Sequence, residues 1–228
     1  MTDLLQHQID YYRARAPEYD EWFYRLGRYD RGEAHTRQWE LEAQQVRDQL
    51  RSQAGFAHIL ELAPGTGIWT GELIQIGRRV TAVDASPEMI NINRAKLQSD
   101  RVEYQRADLF AWQPEQQYDM VFFGFWLSHV PAEKLTAFLN AVNAALKPGG
   151  RLFMVDSRAR DLATAHTGAE DLGTDLQKRV LKDGRRFDIV KIYYEPAELS
   201  EILRGHGFAI EATSTDNFFL YADGVKAT

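Results

Sequence analysis

The chemistry available to this chain gathers around one glycine turn and a few acids. In the run "ILELAPGTGIWTG" at 59–71, Glu61 lies inside an apolar stretch, and Gly65 and Gly67 follow it with one threonine between them. Glycines placed where a strand hands over to a helix let a ligand approach the backbone, and the helix start offers free N–H groups. A dinucleotide fingerprint needs a third glycine at 70, which is Thr70, and a phosphate loop needs Gly-Lys-Ser/Thr, which is absent. Phosphate is weakened as the ligand on both counts. Asp84 ends the next apolar run, where a carboxylate accepts from both hydroxyls of a ribose beside the turn, or serves as a loop cap. Asp108, in "RADLF", is placed to take an exocyclic adenine amine while Ala107 and Leu109 pack on the ring, or to cap a turn. His129, in "GFWLSHVP", is the best candidate for a general base, with packing before Pro131 as the alternative. The histidines at 7, 35, 58, 166 and 206 show no metal-ligand spacing, so no metal is expected.

These residues need elements to position them. Residues 1–54 carry apolar and aromatic positions at helical spacing and read as an N-terminal helical cap. From 56 onward short β-rich runs alternate with helices: "AHILEL", "RVTAVD", "VEYQRAD", the nearly all-apolar "YDMVFFGF" and "RLFMVDS". That alternation predicts βαβ units and a parallel sheet, with the all-apolar strand mid-sheet. A helix at about 131–146 is expected to stop at "KPGG", with Lys147 at its negative end. Residues 158–175 read as a loop, 176–193 as a hairpin turning at Asp183-Gly184, and 196–205 as a helix. Two antiparallel strands close the chain.

The composition narrows the partners. Lys and Arg number 27 against 33 Asp and Glu, and no basic stripe could track a nucleic-acid backbone, so long DNA or RNA is not expected. The absence of cysteine removes disulfides, thiolate metal sites and cysteine nucleophiles. The N-terminus lacks a basic start followed by an apolar core, and no run approaches ~18 apolar residues. A cytoplasmic location without a membrane partner is the expectation.

Together "LELAPGTG", "VTAVDAS", "RADLF", "YDMVFFGF" and "LKPGGRLFMVD", in this order, resemble the class I S-adenosylmethionine-dependent methyltransferases over 56–156 and on through the closing strand pair. The resemblance implies a Rossmann-like seven-stranded, mostly parallel sheet with the last strand antiparallel, helices on both faces, a cap or lid at 1–54 and a core at 55–228. It implies that S-adenosyl-L-methionine is the cofactor. Glu61 and the turn Ala63, Gly65, Thr66, Gly67 would surround its methionine part and adenosine, Asp84 and Ala85 its ribose, and Ala107, Asp108, Leu109 and Met89 its adenine. Phe123 to Phe125 would pass the sulfonium. Pro64 departs from the small residue of many members and stiffens the turn. Tyr12 and Tyr19 are lid candidates able to reach the methionine carboxylate.

On the acceptor side the candidates are Trp22, Trp69, Phe125, Trp126 and Arg158, with plain core as the alternative for Trp22, Trp69 and Trp126 and a solvated loop charge as that for Arg158. Aromatic walls suit a flat or hydrophobic small molecule, and an arginine in the pocket would suit a carboxylate or phosphate. The strand-four exit "FFGF" lacks the Asp/Asn-Pro-Pro-aromatic motif of the nucleic-acid amino-methyltransferases. O-methylation of a small acceptor is favoured, N- or carboxylate methylation or a non-catalytic cofactor-binding module being the alternatives. The chain is expected as a monomer or homodimer.

Overall fold

The computed structural model describes residues 2–158, 170–171 and 175–227. Most of the loop expected at 158–175 therefore lies outside the described residues. A seven-stranded sheet runs in the order β3-β2-β1-β4-β5-β10-β9. Its strands are β1 (Phe56–Leu62), β2 (Gly77–Asp84), β3 (Val102–Arg106), β4 (Tyr118–Gly124), β5 (Leu146–Ser157), β9 (Phe208–Ser214) and β10 (Phe219–Lys226). Neighbours from β3 through β5 are parallel, and β10 runs antiparallel to both β5 and β9. The all-apolar strand β4 is the central one, as its sequence requires.

Alternate side chains of the central strands feed two cores. Leu60, Leu62, Val121, Phe123, Leu152 and Met154 meet Phe138, Leu139 and Val142 of α6 (Ala132–Ala145) and Leu199 and Leu203 of α7 (Pro196–Gly205). On the other face Ile59, Met120, Phe122 and Phe153 meet Leu73 and Ile76 of α4 (Thr70–Ile76) and Trp39, Val46 and Leu50 of α3 (Glu33–Arg51). Each fully buried side chain of this size contributes about 1.5–3 kcal/mol. Helix α5 (Pro87–Leu97) starts where Ser86 Oγ accepts from the Met89 N–H and Pro87 takes the first turn.

Two local expectations are revised. The segment "KPGG" does not separate α6 from its strand: β5 begins at Leu146, which pairs with Tyr118 before the register shifts to Met120 and Arg151. Lys147 then reaches Asp119 at 2.5 Å instead of the helix end. It is Lys226, from the last strand, that donates to the carbonyls of Asn143 and Leu146 and closes α6.

Before β1 come α1 (Thr2–Arg15), a short α2 (Tyr19–Phe23) and α3. The predicted hairpin forms as β7 (Leu176–Val180) and β8 (Arg186–Val190), joined by β6 (Glu170–Asp171) in a separate three-stranded sheet. Tyr11 of α1 packs against Leu181 and Ile189 of this sheet. Gln8 ties the two together, donating to the His129 carbonyl at 2.9 Å and accepting from the Val190 N–H at 3.1 Å. Helix α1 and the hairpin thus pack together beside the carboxyl ends of the parallel strands.

The glycine turn is anchored through Asn93 of α5. Its amide donates to Thr70 Oγ1 at 2.8 Å, and its carbonyl oxygen accepts from Tyr104 at 2.8 Å. At Gly67, φ is 90° and an added Cβ would lie 2.6 Å from Asn93 Oδ1. At Gly55, φ is 100° but no atom lies within 4 Å of that Cβ. Gly55→Ala is therefore expected to lower unfolding free energy by ~1 kcal/mol from backbone strain alone. Gly67→Ala should lose at least ~2 kcal/mol, because the clash adds to the strain; urea denaturation of the two variants checks the difference.

Candidate active site

Strand order reverses between β1 and β4: the connection from β1 leads to β2 on one side, and that from β4 leads to β5 on the other. A crevice must open where adjacent strands part in this way. The residues just past the two strand ends, Ala63 and Phe125, hold φ of 54° and 53°, the left-handed region that such side chains disfavour. Each is pinned by a backbone bond, Ala63 N–H to the Val83 carbonyl at 2.9 Å and Phe125 N–H to the Val155 carbonyl at 2.7 Å.

Three cavities adjoin this point. The largest, with about 670 Å³ of empty space, runs from Ala63 and Gly65 past Asp84, Ala85, Ser86 and Met89 to Asp108, Leu109 and Phe110, with Trp126 on its wall and Gln8, Ile9 and Tyr12 above. A second, of about 300 Å³, is lined by Glu61, Pro64, Thr66, Ile68 and Trp69. The third, of about 400 Å³, lies under the lid between Arg15, Trp22, His129, Ser157, Arg179, Lys191 and Tyr193. Tyr19 and Phe125 line all three.

Most residues singled out in the sequence meet here, though not always where expected. Trp69 packs edge-on toward Gly124, whose added Cβ would lie 3.0 Å from its ring. It therefore walls the Glu61 cavity, while Trp126 stacks near Phe110 at 5.3 Å and walls the Asp108 end. Thr66 donates its hydroxyl to Asp20 of α2, which also holds Lys96 at 2.6 Å, so that this side chain fastens the cap to the turn. Ala107 packs against the core beside the crevice and Phe123 packs against Phe138; neither lines these cavities. Nor does Arg158, whose Nη1 donates to the carbonyls of Thr215 and Asp216.

A methyltransferase-domain family profile matches residues 59–150. A solved structure described as a DhpI–SAH complex is 36% identical, with a TM-score of 0.81 over 100% of this chain and 98% of that one. A second structure of that protein is described as a DhpI-SAM-HEP complex. The ubiquinone biosynthesis O-methyltransferase of Xanthomonas euvesicatoria pv. vesicatoria (strain 85-10) is 33% identical over 69% of this chain and 65% of its own length. That of Xylella fastidiosa (strain 9a5c) is 34% identical over 69% and 63%. The chain thus spans slightly less than two thirds of these curated relatives. It belongs to the class I S-adenosylmethionine-dependent methyltransferases.

The electrostatics of the methyltransferase site follow from burial. Glu61 is 1% exposed, its Oε2 has no partner among the described residues, and burial pushes its pKa up to about 8 despite the Thr70 hydroxyl. Thr70, the missing third glycine, is the residue that touches this acid. Burial lifts Asp84 to about 6, against the opposing hydrogen bonds from the Ser86 and Gly65 N–H groups. His129 Nδ1 lies 2.6 Å from the Val190 carbonyl, which only accepts, so Nδ1 carries the proton. Nε2 then accepts from the Tyr12 hydroxyl at 2.7 Å. Burial, followed by the charge of Lys191 and those of Arg179 and Arg15, holds the imidazole pKa well below its ordinary value. The ring is neutral, with both nitrogens engaged. No helix among the described residues is long and apolar enough to cross a membrane, and no three His, Asp or Glu side chains among them could hold a metal ion together.

Sequence reasoning missed Gln8, Arg15, Ser157, Arg179, Lys191 and Tyr193. One signal was available: β7 reads "LQKRV", and its buried positions are Gln177 and Arg179 rather than Leu176 and Val180.

The two raised carboxyl groups carry a stability consequence with a definite sign. A folded pKa above the unfolded one contributes stability that is present at low pH and lost as pH rises through the folded pKa. Between about pH 6.5 and 8, Glu61 stays protonated only in the folded chain, so unfolding free energy should fall by up to ~1.4 kcal/mol per pH unit. Glu61→Gln should flatten that slope in urea titrations at pH 6.5, 7.2 and 8.

Proposed function

We propose that this methyltransferase transfers the methyl group of S-adenosylmethionine to an oxygen of a small acceptor. The observation that carries the reading is that Tyr19 and Phe125 border all three cavities, so a group held there is reachable from each. The cofactor, when bound, supplies a methyl group on a positively charged sulfur, for which alignment and exclusion of water do most of the catalytic work. The residues present fit it. Asp84 turns a carboxylate into the large cavity for the ribose hydroxyls, with Ala85 beside it. Met89, Asp108 and Leu109 frame the adenine end, with Ala107 packed in the core beside it. Glu61, whose Oε2 has no partner among the described residues, suits the methionine ammonium, and Ala63, Gly65, Thr66 and Gly67 shape the backbone around it. Trp69 shields that end, and Phe125 is held by the rings of Trp22, Phe23 and Phe219. The oxygen acceptor is supported by the names of the curated relatives. Residues 1–54 and the 176–193 hairpin act as the lid on a 55–228 core.

His129 serves in this reading as a positioning residue. Its neutral Nε2 orients the Tyr12 hydroxyl at the border of two cavities, while Gln8 and the Val190 carbonyl hold the ring in place. Arg158 acts indirectly, by fixing the β9–β10 turn.

Calorimetry with S-adenosylhomocysteine is expected to show binding, and NAD none; the opposite result would sink the reading. Asp84→Ala should weaken binding on the order of 100-fold, the loss of two hydrogen bonds to a charged group. Because Glu61 is protonated near pH 7 in the free protein, entry of an ammonium should release about one proton. That release appears as a buffer-dependent binding enthalpy and should vanish in Glu61→Gln. His129→Ala should lower kcat roughly 10- to 100-fold by the same factor from pH 6 to 9, with product affinity nearly unchanged. A loss confined to the alkaline side of one pKa would restore the general-base role.

A further inference from the structure

The third cavity carries charge that no partner among the described residues balances. Arg15 and Arg179 are each 5% exposed, and Nε and Nη2 of the first and Nε and Nη1 of the second have no hydrogen-bond partner among the described residues. Lys191, also 5% exposed, does have partners: Asp156 Oδ1 at 3.1 Å and Ser128 Oγ at 2.7 Å. Asp156 therefore offsets the lysine, and two guanidinium groups remain, facing a chamber next to Tyr19 and Phe125. A buried cation with unmade hydrogen bonds costs several kcal/mol, which a ligand supplying the missing acceptors recovers.

We propose that this chamber binds the acceptor through the acceptor's own negative charge: the substrate is a small oxyanion, a carboxylate or a phosphonate/phosphate group, and one of its charged oxygens receives the methyl. The inference rests on the methyl-transfer reading and names its substrate class. Two guanidinium forks suit the paired oxygens of such a head group, and the hydroxyls of Ser157 and Tyr193 stand on the same wall. With about 400 Å³ shared with open solvent, the chamber suits a small acid better than a large ring system.

The protonation of the site agrees with this substrate. His129 is kept neutral by burial and by Lys191, Arg179 and Arg15, and its lone pair is already given to Tyr12. A neutral alcohol or phenol would need a base here. An ionised oxygen needs none: its lone pair forms the new oxygen–carbon bond, the carbon–sulfur bond breaks with its electron pair going to sulfur, and no proton leaves. The ester carries one negative charge fewer than the substrate, so the hold of the two arginines weakens on the product side.

The test uses the full chain in two assays. In the first, methylphosphonate, acetate, butyrate and catechol are titrated into protein saturated with S-adenosylhomocysteine, followed by calorimetry. In the second, the same set and longer-chain carboxylic and phosphonic acids are offered with S-adenosylmethionine, and S-adenosylhomocysteine formation is measured. Anions are expected to bind and to be methylated, with affinity falling as salt rises, and catechol to do neither. The phosphonate and carboxylate arms show which oxyanion is preferred. Arg179→Met should raise KM for the anion at least ~30-fold, as for a lost charged pair, with S-adenosylhomocysteine affinity within about twofold as the folding control; Arg179→Lys should recover part of the loss. Methylation of catechol with the anions inert, no anion binding to the product complex, or an unchanged KM in Arg179→Met overturns the inference and leaves methyl transfer standing. Absence of S-adenosylhomocysteine binding overturns the reading beneath it instead.

Discussion

Everything in this molecule depends on the parting of β1 and β4. The two strands pair side by side up to Leu62 and Phe123, then leave the sheet toward opposite sides, and the backbone at Ala63 and Phe125 is forced into a left-handed conformation to do so. Left-handed backbone costs about 1–2 kcal/mol at each such residue, and it persists because hydrogen bonds from the neighbouring strands and the packing of Phe125 against Trp22 leave no alternative. What that strain creates is a crevice with backbone at its floor, where a ligand meets fixed groups. The glycines at 65 and 67, the acid at the end of β2 and the acid after β3 all lie within reach because parallel strands bring their carboxyl ends to one edge.

The lid solves a different problem. A crevice at the edge of a sheet is open to water, and methyl transfer requires that water be kept away from the electrophile. Here two segments far apart in the chain, α1 and the β7–β8 hairpin, meet over the crevice, joined by Tyr11 with Ile189 and by the Val190 N–H donating to Gln8, whose amide also donates to the His129 carbonyl beyond β4. Neither segment packs on the parallel sheet through a broad apolar face. Arg13 of α1 grips Glu88 of α5 at 3.0 Å, an exposed pair that guides placement more than it adds stability. Gln8 and Tyr12 link α1 to His129, one through its backbone carbonyl and the other through Nε2.

The crevice beside the glycine turn was legible in the sequence because its signals are local. Strand, glycine turn, helix and strand-ending acid follow one another within thirty residues or so, and each element depends on its own hydrophobic period and caps. Asp84 and Asp108 stand where strand ends had to be. The third cavity was opaque for the opposite reason: Arg15 is far in sequence from Arg179 and Lys191, and the three meet only in the folded chain. Arg158 looked the better arginine because it follows β5, but a backbone turn between β9 and β10 takes its hydrogen bonds. His129 was found, but the two groups that engage its nitrogens, the Val190 carbonyl and the Tyr12 hydroxyl, are far from it in sequence and could not be read there. The helix stops before "KPGG" as read, but the role given to Lys147 failed similarly, because the cation that closes α6 arrives from the last strand.

The unbalanced arginines raise the question of how the fold tolerates them before substrate arrives. Arg15 lies 5.0 Å from the ring centre of Tyr19, 5.5 Å from Tyr11 and 5.8 Å from Trp22. Aromatic faces offset part of the desolvation of a guanidinium without using its N–H groups, at roughly 0.5–2 kcal/mol for each good contact. The aromatic run in "YYRARAPEYDEWF" thus acts as a solvent for one cation and leaves its donors free. Flat rings around the chamber therefore do not by themselves argue for a flat, apolar acceptor. They make it possible to keep a charge buried and poised, and the ligand that gains most from such a charge is one that brings its opposite.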